Sequence, residues 1–142
     1  MIESAKHQDL PAVRALLDRL NLPLDGVDDH VQTMLVARED GQVVGTAALE
    51  LYPDGALLRS VAVDPVRQGN RLGHDLTEAA LSLAARQGVG AVFLLTTTAE
   101  RFFPKFGFER VTRDDVPASV QGSVEFRSAC PASAIVMRKH LG

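Results

Sequence analysis

The segment over residues 57–73, LLRSVAVDPVRQGNRLG, constrains the fold more than any other part of the chain. It begins with an apolar run typical of a strand, which the Asp64-Pro65 pair ends because proline has no N–H to continue a ladder. Gly69 and Gly73 then allow a tight turn, and apolar residues at helical spacing follow. Strand, turn and helix in this order predict that a βαβ unit crosses this segment.

The turn itself is a candidate phosphate site. We expect a helix over residues 72–86, and the first turn of a helix presents unpaired N–H groups together with the positive end of the helix dipole. Neither G-x-x-x-x-G-K-[ST] nor G-x-G-x-x-G occurs in the chain, so the P-loop and the dinucleotide loop lack support. From these residues alone, an anion-binding turn and an ordinary strand–turn–helix junction both stay open.

Composition limits the class of protein. A chain of 142 residues with 46% hydrophobic and 23% charged residues is typical of one globular domain, which we expect to span residues 1–142. A net charge of −3 argues against a nucleic-acid-binding surface. One cysteine, Cys130, cannot form an internal disulfide, and no apolar run approaches the ~20 residues of a membrane span. Because the N-terminus also lacks the layout of an export signal, we expect a cytoplasmic protein with no membrane partner.

The remaining elements follow from periodicity and turn residues. Asp9 is expected to cap a helix that runs to Leu20, with Pro11 in its first turn. A polar connection that could hold a short second helix follows over residues 21–30. Residues 114–128 are ambiguous, and the favoured interpretation is one helical turn and then extended chain. Strands are predicted over residues 1–5, 34–38, 43–52, 56–63, 89–98, 108–112 and 134–139, with a short helix near residues 100–106.

Two segments resemble one known family. Residues 68–73 resemble the Q/R-x-x-G-x-G/A acyl-CoA-binding signature of the GNAT acetyltransferases, although Arg71 stands where the first glycine usually lies. AERFFPKFGFERV, over residues 99–111, resembles the A-x-x-F-Y-x-x-x-G-F stretch that follows the fifth strand in that family. On these segments the chain is identified as a GNAT member, and it is most similar to small arsenic-resistance-operon acetyltransferases and to the acetyltransferase domain of N-acetylglutamate synthases. The resemblance implies the α/β GNAT fold, a mixed, mostly antiparallel sheet splayed at strands 4 and 5 and flanked by helices.

The resemblance also implies a reaction. Acetyl-CoA would be the cosubstrate, and its acetyl group would pass by direct attack in a ternary complex to a small, acidic, amino-acid-like amine. Glutamate and glutamate-mimicking arsenic or phosphorus compounds are the expected acceptors. An enzyme that acetylates protein N-termini or lysines, and a sensor that binds acyl-CoA without turnover, are the alternatives. No metal and no nucleic acid are expected, and because many relatives are dimers a homodimer is a further expectation.

Residues for the cosubstrate are carried over position by position. The phosphate turn would hold the pyrophosphate, with Arg71 acting either as a cation beside phosphate or as an ordinary surface arginine. The fourth strand would pair with the pantetheine amides, and an N–H of Val61 or Ala62 would face the thioester oxygen. The full set is Val61, Ala62, Val63, Gln68, Gly69, Asn70, Arg71, Leu72, Gly73, His74 and Phe103.

Proton transfer has fewer candidates. Glu50 is the candidate base, on the expectation that it faces a partly dry cleft that would raise its pKa; a solvated strand glutamate, a base acting through water and no strong base are the alternatives. Phe103 occupies the position of a tyrosine that many relatives carry, so the usual proton donor is missing. Tyr52, Cys130, water or the amine's own proton could replace it.

Acceptor binding is predicted from fixed charges and hydroxyls. Arg59 and Arg127 could each bind a carboxylate through two parallel hydrogen bonds, and the hydroxyl groups of Thr97 and Ser133 would add directional contacts.

Overall fold

A computed structural model describes residues 1–69, 71–129 and 133–141 of the chain. Seven strands and three α-helices form its frame, with short 3₁₀ segments between them. The strands are β1 (Ile2–Ser4), β2 (Met34–Glu39), β3 (Gln42–Tyr52), β4 (Gly55–Val63), β5 (Ala91–Thr96), β6 (Glu109–Val111) and β7 (Ile135–His140). The helices are α1 (Leu10–Arg19), α2 (Leu72–Arg86) and α3 (Ala118–Gln121).

The strands form one mixed sheet in the order β1-β2-β3-β4-β5-β7-β6. Every neighbouring pair is antiparallel except β4 and β5, which are joined by α2 as a βαβ unit. The parallel pairing covers only Ala56 with Val92 and Leu57 with Phe93. Beyond Leu57 the two strands separate, which confirms the predicted splay between strands 4 and 5.

A β-bulge in β4 accompanies this separation. Thr46 faces Ala62 and Ala48 faces Arg59, so two residues of β4, Ser60 and Val61, lie opposite one residue of β3. Ser60 has a φ of 57°, in the left-handed region that side chains other than glycine rarely adopt. An extra residue of this kind bends the strand that carries it.

Helices cover both faces of the sheet because the strands alternate apolar residues between them. In β2, Leu35 and Ala37 pack in the core beneath α2, whereas Met34 and Val36 pack in the core beneath α1. The short helix α3 covers a third apolar cluster at the β5–β7 end of the sheet. The result is a three-layer α/β/α arrangement. The gap between β4 and β5 lies between the helices that cover the two faces of the sheet.

Two local predictions were wrong. The Asp9 side chain does not cap α1; it accepts hydrogen bonds from the Lys6 N–H at 2.8 Å and from Arg38 at 2.7 Å. A buried carboxylate beside a guanidinium gains more from that ion pair than from a cap. The chain after α3 is not extended either, since Glu125–Ala129 forms a turn of π-helix.

Among the described residues, no helix combines the length and the apolar character needed to cross a bilayer.

Candidate active site

A cavity of about 970 Å³ opens where β4 and β5 separate. One wall is the outer edge of β4 over residues 58–63, and the other is residues 94–99 at the end of β5. The turn between β4 and α2 lies at one end, which we call the phosphate end. The α1–β2 connection and Glu125 lie at the other, which we call the acceptor end.

The phosphate end is built from the start of α2. Asp75 donates the first intrahelical hydrogen bond, to the Arg71 carbonyl at 2.9 Å, so the N–H groups of Leu72, Gly73 and His74 precede the helical ladder. Gln68 stabilises the turn by donating a hydrogen bond from its side-chain amide to the Val63 carbonyl at 3.1 Å. Three backbone donors and the positive helix end therefore converge beside the cavity, as an anion requires.

Glycines keep this end open. A Cβ at Gly73 would lie 3.6 Å from Val63 Cγ2 and 3.7 Å from Phe102 Cζ, both on residues that line the cavity. Gly69 has a φ of 94° and nothing within 4 Å of a Cβ position. Gly69 is needed for its backbone conformation, whereas Gly73 leaves room for a ligand.

Arg71 occupies a conformation that explains the family's preference for glycine. It precedes α2 with a φ of 62°, in the left-handed region. Its guanidinium lies 3.3 Å from the His74 ring nitrogen Nδ1 and lines the cavity. Arg71 thus combines a strained backbone with a positive charge at the phosphate end.

The β4 wall offers main-chain groups. Because β4 pairs with β5 only as far as Leu57, its outer edge beside Val61, Ala62 and Val63 faces the cavity without a strand partner in the described chain. Such an edge can add strand-like hydrogen bonds to the amides of an extended ligand.

The opposite wall at the phosphate end is aromatic. Phe103 is buried, lines the cavity and packs edge-on against Phe102 and Phe108, with ring centroids 5.1 Å and 5.7 Å away. Lys105 places its ammonium 5.5 Å from the Phe102 ring centroid and also lines the cavity.

A buried polar network lies at the acceptor end. The Arg59 guanidinium donates to Glu50 Oε2 at 2.8 Å and to the Pro23 carbonyl at 3.2 Å, and its Nε lies 3.3 Å from Glu125 Oε2. Arg59 and Glu50 are each 1% exposed at the side chain, and Glu125 is 5% exposed. One guanidinium therefore joins β3, the α1–β2 connection and the π-helical turn.

Glu50 was expected to face the cleft, but it lies behind the cavity wall. Its carboxylate accepts hydrogen bonds from Arg59 and from the Tyr52 hydroxyl, and His30 Nε2 lies 3.4 Å away. Burial, and then the hydrogen bond to Glu50, raise the pKa of Tyr52 well above its usual value. Proton transfer by Glu50 or Tyr52 stays a prediction.

The predicted acceptor ligands are only partly brought together. Arg59 and Thr97 line the cavity, whereas the exposed Arg127 and Ser133 do not. The Arg59 guanidinium already contacts Glu50, Glu125 and the Pro23 carbonyl. These contacts favour a structural role for Arg59 over the binding of a substrate carboxylate. Asn70 and Cys130 lie outside the described residues.

A cluster of His74, Asp75 and Glu78 places one ligand atom of each residue within 4.8 Å of the others. His74 Nδ1 lies 3.0 Å from Glu78 Oε1, and the neighbouring Arg71 adds a positive charge that opposes a bound cation. The expectation of no metal stays a prediction.

The sequence reasoning missed Glu125, Phe102, Lys105 and the connection over residues 21–23, all of which line the cavity. One sequence feature could have indicated Glu125: it is a carboxylate between the apolar residues Val124 and Phe126. Because the secondary structure of this segment could not be predicted, the direction of its side chain could not be predicted either.

These features fit acetyl-CoA. The phosphate end combines free helix N–H groups, the guanidinium of Arg71 and the ammonium of Lys105, and the unpaired edge of β4 suits an amide-bearing arm. When bound, the cosubstrate supplies the acetyl group as a thioester.

Comparisons with known proteins agree with this site. The model of the acetyltransferase (GNAT) domain matches residues 30–110. An amino-acid acetyltransferase of Mycobacterium tuberculosis is 33% identical over 130 residues, covering 84% of this chain and 74% of that protein. A M. tuberculosis protein solved in complex with CoA is 28% identical, with a TM-score of 0.84 and coverage of 100% of this chain and 99% of the other.

The N-acetylglutamate synthase of Neisseria gonorrhoeae, solved with coenzyme A and N-acetyl-glutamate, superposes with a TM-score of 0.86 at 22% identity. This chain is fully covered but spans only 35% of the synthase chain, so that similarity supports the fold alone. The family match and the CoA-bound neighbour together make acetyl-CoA the cosubstrate of an N-acetyltransferase. The chain belongs to the GNAT acetyltransferase family.

Proposed function

We propose that the protein transfers the acetyl group of acetyl-CoA to the amine of an acidic, amino-acid-like small molecule, either glutamate or an arsenic or phosphorus compound that mimics it. The observation that carries this proposal is the Arg59 network, in which one buried guanidinium joins three chain segments at the acceptor end of the cavity. Segments fixed to one another in this way suit a small acceptor better than a protein segment, which needs an open groove. The relative from M. tuberculosis, named an amino-acid acetyltransferase, supports the same class of acceptor.

Arg127 is the proposed ligand of the acceptor's second acidic group. It is exposed and lies on the same π-helical turn as Glu125, two residues further along the chain. A guanidinium that stays in water until substrate arrives can bind a carboxylate through two parallel hydrogen bonds. Thr97, at the end of β5 on the cavity wall, would add a hydroxyl contact.

The proposal is tested by following the release of the CoA thiol with a panel of acceptors. The panel contains glutamate, glutamine, aspartate, arsenic and phosphorus analogues of glutamate, and short peptides with free N-termini. We expect turnover with glutamate or its analogues and a lower kcat/KM with glutamine. Turnover confined to peptides, or none with any amino acid, would contradict the proposed acceptor class.

Arg127→Ala gives the sharper prediction. We expect KM for the dicarboxylic acceptor to rise about tenfold or more, with little change for its amide, because the amide has no charge to lose. Arg86→Ala, at the far end of α2, is the matched control. Equal effects on the acid and the amide would remove Arg127 from the site.

A further inference from the structure

The β-bulge in β4 is held by a hydrogen bond from the neighbouring strand. The hydroxyl of Thr46, on β3, donates to the Ser60 carbonyl at 2.6 Å, and Thr46 is fully buried. The Ser60 hydroxyl accepts a hydrogen bond from Arg59 Nε at 3.2 Å. Ser60 has a φ of 57°, and a residue keeps such a conformation only where its surroundings hold it there. Thr46 therefore fixes the peptide unit that follows Ser60.

The Thr46 contact also determines where the next N–H points. The peptide unit that joins Ser60 to Val61 is trans, and the carbonyl and the N–H of a planar trans unit point in opposite directions. Since this carbonyl points toward Thr46 on β3, the Val61 N–H points away from β3. On that side β5 has separated from β4, and Val61 lines the cavity. In the described chain the register gives Val61 no partner on β3 or β5, so its N–H is directed at the space between the strands.

We propose that Thr46 is a positioning residue whose hydrogen bond to the Ser60 carbonyl aims the Val61 N–H at the thioester oxygen of acetyl-CoA. As the amine attacks the thioester carbon, an electron pair of the C=O bond moves on to the oxygen. The pair returns when the C–S bond breaks, and the thiolate takes the proton that the amine loses. A fixed N–H at that oxygen stabilises the negative charge where it develops. The inference goes beyond the proposed function, because it concerns the acetyl donor and holds for any acceptor.

Substitutions at Thr46 separate the hydrogen bond from packing. Thr46→Val keeps the shape of the side chain and removes the donor, whereas Thr46→Ser keeps the donor and removes a methyl group. Thr46→Ala removes both. Thr33→Val is the matched control, because the Thr33 hydroxyl also donates to a carbonyl of β3, that of Leu49, but Thr33 does not line the cavity.

The first measurement needs no acceptor. Acetyl-CoA labelled with ¹³C at the carbonyl is bound to the full chain, and its carbonyl resonance is recorded by NMR. A hydrogen bond to the oxygen withdraws electrons from the carbon and moves this resonance downfield. We expect a downfield displacement in the wild-type protein relative to free acetyl-CoA. Thr46→Ser and Thr33→Val should keep most of the displacement, and Thr46→Val and Thr46→Ala should lose most of it.

Binding and turnover give the second measurement. CoA has no thioester carbonyl, so its dissociation constant, measured by calorimetry, should stay within about threefold of the wild-type value in every variant. With an acceptor of the panel above that is turned over, Thr46→Val should lower kcat about tenfold or more and change KM for acetyl-CoA about threefold or less. A role in the fold alone would not separate kcat from KM in this way.

Each result decides the proposal. A wild-type resonance that is not displaced downfield overturns it, whichever variants fold. The order expected of packing alone, in which Thr46→Val keeps the displacement and Thr46→Ser loses it, overturns it as well. If Thr46→Val does not fold, equal spectra for Thr46→Ala and Thr46→Ser have the same meaning. A displaced resonance with no turnover of any amino acid would reject the acceptor class and keep the role of Thr46.

Discussion

At the scale of single residues, Arg71 combines a strained backbone with a charge beside the phosphate end. Its φ of 62° is one that glycine adopts without cost, whereas other residues lose about 1–2 kcal/mol there. The guanidinium lines the cavity, where an anion would gain from it. An arginine in place of the family's glycine thus lowers the stability of the fold and adds a positive charge to that of the helix N-terminus.

Arg71→Gly and Arg71→Ala separate these two effects. Both variants lose the guanidinium, so both should bind CoA more weakly, and the loss should shrink as salt is raised. Only glycine relieves the strain, and we expect Arg71→Gly to exceed Arg71→Ala by about 1 kcal/mol in free energy of unfolding. Urea denaturation measures that difference. An alanine variant at least as stable as the glycine variant would contradict the strain.

Tyr52 gives a direct measure of the buried network. It is the single tyrosine of a chain without tryptophan, so tyrosinate absorbance reports on it alone. Burial and the hydrogen bond to Glu50 raise its pKa above the ordinary value of 10.0, so the folded protein should titrate at higher pH than the denatured chain.

The raised pKa of Tyr52 also determines how the free energy of unfolding changes with pH. A phenol with a raised folded pKa contributes its full stabilisation below pH ~10 and loses it as pH rises through the folded pKa. The free energy of unfolding should therefore fall above pH ~10, and less steeply in Tyr52→Phe. Glu50→Gln should move the midpoint of the tyrosinate absorbance part of the way toward that of the denatured chain. A folded midpoint at or below that of the denatured chain would show that the network does not hold the phenol proton.

Single residues also show where sequence reasoning ends. The phosphate turn could be located from Asp64, Pro65 and Gly73 because each has a local conformational meaning. Asp9 was misassigned because its partner, Arg38, lies 29 positions away along the chain. Glu125 was missed because its partner Arg59 lies on a distant strand and because its own segment has no clear periodicity. Local rules identify backbone roles, whereas ion pairs formed by folding need the tertiary structure.

At the scale of elements, α2 could be predicted with its observed bounds, Leu72–Arg86, because proline, glycine and helical periodicity all agree there. An Asp-Gly pair between two strand-like runs is typical of a tight hairpin, and Asp40 and Gly41, between β2 and β3, both have the positive φ that such a turn requires. The bulge at Ser60 was not readable, because serine carries no signal for a left-handed conformation. The segment after α3 was ambiguous for want of periodicity.

The start of α2 supplies an element-scale prediction. Gly73→Leu should leave the free energy of unfolding close to that of the parent, because its Cβ would meet Val63 and Phe102 at ordinary contact distances. The longer side chain would enter the cavity and lower CoA affinity by about tenfold or more. Calorimetry with CoA measures this. Gly73→Ala, whose side chain ends at Cβ, is the control, and unchanged affinity in Gly73→Leu would refute the phosphate-turn assignment.

At the scale of the whole molecule, the two halves of the sheet meet at only two parallel residue pairs. A ligand seated between β4 and β5 contacts both halves, so it should stabilise the chain as one unit. If residues 1–142 form a single domain, heating should give one unfolding transition. Saturation with acetyl-CoA at 100 times Kd adds about 2.7 kcal/mol, and this should raise Tm by roughly 8–10 °C.

Differential scanning calorimetry with and without acetyl-CoA measures this shift. ATP at the same concentration is the control for non-specific phosphate binding. Two separate transitions, of which one alone responds to acetyl-CoA, would contradict the single-domain expectation.

The three contacts of Arg59 restrict how single substitutions can act at the acceptor end of the cavity. Since one guanidinium joins three segments, replacing Glu50, Glu125 or the loop around Pro23 disturbs the other two, and their energetic effects will not add. If the acceptor binds at this end, as proposed, a change of specificity there requires concerted substitutions at several of these positions.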